Sequence, residues 1–151
     1  ILFRWPDALF YDLGLIGGGR LAWPDHCGED AVPEWLVFGA MVRATTMTPF
    51  AQGQTGVGMA EEGFEEVDAV DLIEAFARHL MLGVSHWQGD GPKATVRRWL
   101  DRLDKVVGTR HGIEPDGDLV ATTQAGTQRR SLIEALARVD WLDRDSGGPK
   151  L

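Results

Sequence analysis

Apolar and polar positions alternate at the start of the chain. Residues 8 to 13, ALFYDL, and 15 to 22, LIGGGRLA, are aromatic or branched segments meeting at Asp12-Leu13-Gly14. That pattern predicts a β-hairpin with Leu9, Tyr11 and Leu13 on one face. Two Trp-Pro pairs, Trp5-Pro6 and Trp23-Pro24, bracket it. The segment PDHCGEDAVP, 24 to 33, is acidic and bounded by prolines, so it reads as a surface loop. EWLVFGAMVRA, 34 to 44, is a near-continuous apolar run, expected of a strand in the covered centre of a sheet. Thr45 to Gly63 is glycine-rich and weakly periodic, a long loop beside a site.

Periodicity then changes from two to between three and four. Val70, Ile73, Phe76, Ala77, Leu80, Val84 and Trp87 form one stripe behind Asp68, an N-cap candidate, which predicts a helix with that stripe on the sheet. Gly89-Asp90-Gly91-Pro92 ends it. A second helix, Pro92 to Leu103, has proline in its first turn and buries Val96, Trp99, Leu100 and Leu103. Beyond it, KVVGTRHGI, DLVATTQ and TQRRSLIEAL read as short strands with turn signals at Asp116-Gly117 and Ala125-Gly126. Three units follow: residues 1–103, a small β-module at 104–142, and a disordered tail at 143–151.

Composition narrows the function classes. With 15 basic and 23 acidic residues the net charge is −8, which argues against a phosphate-tracking nucleic-acid binder. The longest uninterrupted apolar stretch, Trp35 to Val42, is far short of the ~20 residues a membrane helix needs, so no membrane span is expected. One cysteine, Cys27, cannot form an intramolecular disulfide, and the expectation is a cytoplasmic, reducing location. The opening ILFRWP reads as a strand entered from within a sheet, so the chain is expected to be the later part of a longer protein.

Candidate chemistry is sparse. Glycine makes up 19 of 151 residues, well above the ~7% average. Neither GLIGGG at 14 to 19 nor GQTGVG at 53 to 58 meets a phosphate-loop or dinucleotide fingerprint. Taken alone, the run Gly17-Gly18-Gly19 favours close strand packing over ligand contact. His79 and His86 are seven apart on one helix, ~10 Å along its axis and too far to share a metal. Asp25-His26-Cys27 with Glu29 and Asp30 lacks a spaced second ligand pair and reads as a loop. Glu61, Glu62, Glu65, Glu66 and Asp68 read as a solvated helix entry, and Arg97-Arg98 and Arg129-Arg130 as solvated faces.

The stretch from Arg4 resembles the biotin and lipoate protein ligase family. The family's K-W-P-N-D strand start appears as R-W-P-D-A at 4 to 8, its glycine-entered strand as L-I-G-G-G at 15 to 19, and its apolar G-x-G-x-N strand as WLVFGAMVRA with Gly39 in place. Trp5 and Pro6 match. Glu61-Glu62-Gly63 resembles the helix entry of a divergent bacterial branch with a WPD motif. The resemblance implies an α/β (α+β) fold: a mixed, largely antiparallel sheet with helices on one face, class II synthetase-like, plus a small C-terminal SH3-like β-module. It implies ATP-dependent adenylation of biotin, lipoate or a related small carboxylic acid, with Mg, and transfer to a carrier protein's lysine. Gly17, Gly18 and Gly39 would line the acid pocket, with Arg4, Trp5 and Asp7 as further ligand-binding residues at the nucleotide-facing strand end.

This sequence also departs from the pattern. Leu15 occupies the position of the catalytic lysine, Arg4 that of the motif lysine, Asp7 and Ala8 those of asparagine and aspartate, Met41 that of the second strand glycine, and Arg43 that of its asparagine. Arg and Lys are not interchangeable at a charge-stabilising site. Arg20, five residues after Leu15, is a substitute cation, and the family's adenylate loop would precede Ile1. Three roles therefore stand: a ligase-like acyltransferase, a binding protein derived from a ligase that keeps an acid or nucleotide pocket without turnover, or a scaffold that pairs a sheet edge in a homodimer.

Overall fold

The computed structural model describes residues 1–28, 30–45 and 57–150. Strands β1 (Leu2–Arg4), β2 (Ala8–Tyr11), β3 (Gly14–Ala22) and β4 (Val37–Val42) form an antiparallel sheet in sequence order. The hairpin expected at Asp12-Leu13-Gly14 is present. Tyr11 pairs with Gly14, leaving Asp12 and Leu13 in the turn at φ 41° and 71°. Both central residues of such a two-residue turn take positive φ, which matches the strand twist. The register shifts between Leu9 and Phe10, so Leu9 pairs with Gly17 while Phe10 pairs with Leu15.

Alternation assigns the two faces. Ala8, Phe10 and Leu15 cluster with Trp141 from the end of the chain. Phe3 and Phe38, on the other face, meet the helices: Phe3 stacks on Trp99 at 6.4 Å between ring centroids, and Phe38 on Phe76 at 5.9 Å. Helix α1 (Ala69–Asp90) starts where expected, with the Asp68 carboxylate accepting from the Asp71 amide at 2.8 Å. Helix α2 (Lys93–Arg102) follows, and Leu103 behind it is buried and bridges to Phe3.

Several expectations are corrected. Strand β4 is an edge, not the covered centre, because its only neighbour among the described residues is β3, and Val37, Phe38 and Met41 remain exposed. The α1 stripe meets the sheet chiefly at Phe76. Val70, Ile73, Leu80, Val84 and Trp87 stay exposed. Downstream, β5 (Arg110–Ile113), β6 (Leu119–Thr123) and β7 (Gly126–Arg130) make a three-stranded antiparallel sheet. TQRRSLIEAL divides into β7 and helix α3 (Leu132–Ala137), which Ser131 caps by accepting from the Glu134 amide. Arg129 is exposed, as expected, and pairs at the surface with Asp116 and, at 2.7 Å, with Asp118. Residues 143–150, expected to be disordered, form a turn in which the Lys150 amide donates to the Trp141 carbonyl at 2.8 Å.

Candidate functional site

The Trp-Pro motif, the glycine run and strand β4 converge on the sheet, and each named residue can be placed there. Gly17 sits opposite Leu9 and Val42, where a Cβ would overlap the Met41 carbonyl. Gly18 faces the other way, and its Cβ space is filled by the Trp141 indole. Close approach of backbone and of an aromatic ring therefore explains both glycines. Gly39 has open space where a side chain would stand. Thus Gly17 and Gly18 meet protein atoms on opposite faces, while Gly39 lies a strand away on the exposed edge.

Trp5 lies edge-on to Trp99 at 5.5 Å between centroids, and its Nε1 has no hydrogen-bond partner among the described residues. Arg4 places its guanidinium 4.0 Å from the centre of the Phe10 ring and 3.7 Å from Asp104. That arrangement ties β1 to the segment after α2. Burial raises the Asp7 carboxyl above its ordinary pKa; the Trp141 indole and the Arg20 charge oppose the shift, while Asp140 adds to it. The indole is close enough to favour the anion, yet Asp7 Oδ2 and Trp141 Nε1 both fall outside hydrogen-bond geometry.

Two of the positions that depart from the ligase pattern, Leu15 and Arg43, make structural contacts. Leu15, at 5% exposure, belongs to the Ala8, Phe10 and Trp141 cluster. An ammonium there would be driven into an apolar core. Arg43 donates its amide to the Ile16 carbonyl at 2.8 Å, and its guanidinium binds the carbonyls of Pro149 and Lys150, the latter at 3.1 Å. It clamps the chain end onto the sheet.

Space for a small molecule lies on the helix-bearing face. One chamber of 280 Å³ is lined by residues from β1 to β4, the segment Met59 to Phe64, and the two long helices. Its lining includes Phe3, Leu9, Tyr11, Ile16, Val42 and Leu72, with Glu62 and Arg102 as its charged members. Tyr11 is held edge-on to Phe64 at 5.4 Å. A neighbouring chamber of 460 Å³ shares Phe3, Leu9 and Val42 and continues past Gly18, Gly19, Phe38 and Trp99 to Leu132 and Leu136. Asp7 and Arg20 border this second chamber. Apolar walls with a few polar groups suit a small-molecule site.

Sequence reasoning found the glycines and the Trp-Pro motif but missed Val42, Met59, Leu72 and Arg102. These come from four distant segments, and only folding makes them neighbours. Trp99 was legible as a buried helix residue, though not as a chamber wall. Of the loop Asp25-His26-Cys27-Glu29-Asp30, Glu29 lies outside the described residues, as do residues 46–56 of the glycine-rich stretch. Among the described residues, no three His, Cys, Asp or Glu side chains are grouped to hold a metal, and no helix is long and apolar enough to cross a membrane.

No curated protein and no solved structure gives a significant match. One family model does, over residues 1–101, which span the sheet, α1 and nearly all of α2. With a match over that much of its length, the chain belongs to the biotin/lipoate A/B protein ligase family.

Proposed function

We propose that this protein works in ligase chemistry on a small, largely apolar carboxylic acid such as biotin, lipoate or a related acid. In that reaction a carboxylate oxygen attacks the α-phosphorus of ATP and pyrophosphate leaves. A lysine amine of a carrier protein then attacks the acyl carbon and AMP leaves. The observation that supports this reading is the pair of adjoining apolar chambers, within the family-matched sheet and helices, with charged groups only at their borders. Such a cleft holds an acyl chain away from water while its head group stays near the mouth. Among the border residues, Arg20 suits an anion, and Asp7 could serve a nucleotide-borne Mg, which needs only one or two protein carboxylates. The four-stranded sheet is read as the class II synthetase-like core and residues 104–142 as the family's SH3-like module. A cytoplasmic location belongs to the same proposal.

A second reading, a binding protein without turnover, is favoured by Leu15. Its side chain is buried with Ala8, Phe10 and Trp141 and lines neither chamber, at the position where the family pattern has a lysine. The exposed β4 edge also leaves room for an edge-paired homodimer. Incubation with ATP, Mg, candidate acids and a biotinyl or lipoyl carrier protein separates the first two. Acid-dependent pyrophosphate release with acylation of the carrier is expected of the enzyme. Ligand-dependent thermal stabilisation without pyrophosphate would establish the binding protein instead.

A further inference from the structure

We infer that the outer stripe of α1 is a self-association surface, on which a second copy of this chain lays its own α1 antiparallel. The half-buried residues of α1 are Leu72, Ala75, Phe76 and Gly83, which fixes the side turned to the rest of the chain. Val70, Ile73, Ala77, Leu80, Val84 and Trp87 lie roughly a third of a turn round the helix from that side and are exposed. They are spaced alternately three and four residues apart, the seven-residue repeat by which two helices pack side by side. No charged residue falls within this stripe over its length of about 25 Å. Monomers rarely leave so long an apolar patch open.

The order of side chains along the stripe specifies what covers it. An antiparallel copy sets Val70 against the partner's Trp87, Ile73 against the partner's Val84, and Ala77 against the partner's Leu80. Each layer then joins a larger side chain to a smaller one, and the seam fills evenly. A parallel copy would set Trp87 on Trp87 and Ala77 on Ala77, crowding one end and leaving a void in the middle. At the flank, Glu74 faces the partner's Gln88 in the antiparallel pair, so no like charges oppose. The stripe also continues onto β4: Ile73 and Met41 line one chamber of 420 Å³, and Val37, Phe38 and Met41 are exposed beside it. Side chains of these sizes, about half exposed, offer on the order of 500 Å² of apolar surface per copy. That is close to the apolar share of the roughly 800 Å² that each partner buries in a standard interface. The contact is between helices and goes beyond the pairing of strand edges considered above.

Sedimentation of the chain across a range of concentrations tests this. The mass is expected to rise from the 16.6 kDa of one chain to twice that value. Leu80→Glu brings acidic groups together near the twofold axis, and is expected to weaken association about tenfold or more while the circular dichroism spectrum stays unchanged. Leu80→Met is expected to keep the dimer. Cross-linking in a Cys27→Ser background reads the orientation: Val70→Cys chains should form disulfides with Trp87→Cys chains in a mixture, and neither with its own kind. A mass of 16.6 kDa at every concentration would leave the stripe to a different polypeptide and overturn the inference. Association undiminished by Leu80→Glu, which would place the contact at the β4 edge, or disulfides of like with like would also overturn it. Should Leu80→Glu lose its fold, the mixed cross-link decides: its formation supports the antiparallel pair and its absence defeats it.

Discussion

Asp7 carries an electrostatic cost into the fold. Its carboxyl is displaced upward chiefly by desolvation, so the folded chain binds that proton more tightly than the unfolded chain does. The sign follows from linkage: the ionised group opposes folding once pH exceeds its ordinary value of about 4, and the cost disappears as acid protonates it. Asp7→Asn is therefore expected to raise the melting temperature at pH 7, with the advantage shrinking towards pH 4. Melting curves across that range check it, and a neutral-pH loss would mean that the Trp141 and Arg20 interactions outweigh burial. Asp118 behaves oppositely. The Leu132 amide and Arg129 hold its carboxyl below the usual range, so its contribution is present at neutral pH and is lost on acidification.

Among the elements, α1 is the least secured. It offers a long apolar stripe, yet its ring contact with the sheet is the Phe76 stack on Phe38, while Ile73 and Met81 are 65% and 67% exposed. Few buried contacts mean low local stability against opening. Phe76→Ala is expected to accelerate amide exchange across residues 69–90 by about two- to tenfold, corresponding to the roughly 0.5–1.5 kcal/mol carried by an aromatic pair beyond its area. Exchange in β2 and β3 should stay unchanged. Uniform acceleration throughout the chain would show that the helix and sheet open together. The Asp68 cap sets where α1 begins but does not fasten it to the sheet.

Across the whole molecule, the chain closes on itself through Trp141. That indole, 2% exposed, covers Ala8, Phe10 and Leu15 and fills the space over Gly18, while Arg43 holds the carbonyls of Pro149 and Lys150. Replacing a buried tryptophan by alanine costs about 3–5 kcal/mol. Trp141→Ala is therefore expected to lower the denaturant midpoint by that equivalent. The 280 Å³ chamber, which none of these residues lines, should retain the ligand affinity of the remaining folded protein. Loss of affinity without loss of stability would place Trp141 at the ligand instead.

The division between what was legible and what was not follows from the range of the interactions involved. Local signals suffice for the hairpin, the Asp68 cap, both long helices and the Trp-Pro start of the family pattern, since each depends on residues within a few positions of one another. The close packing expected at the glycine run was also legible, but its agents, the Met41 carbonyl and the Trp141 indole, were not. The edge position of β4, the helix in residues 132–137, the clamp made by Arg43 and the walls of the acid chamber depend on which distant segment comes to lie alongside. An apolar run such as residues 35–42 shows that burial would be favourable. Only the tertiary structure decides whether a partner surface is there to receive it.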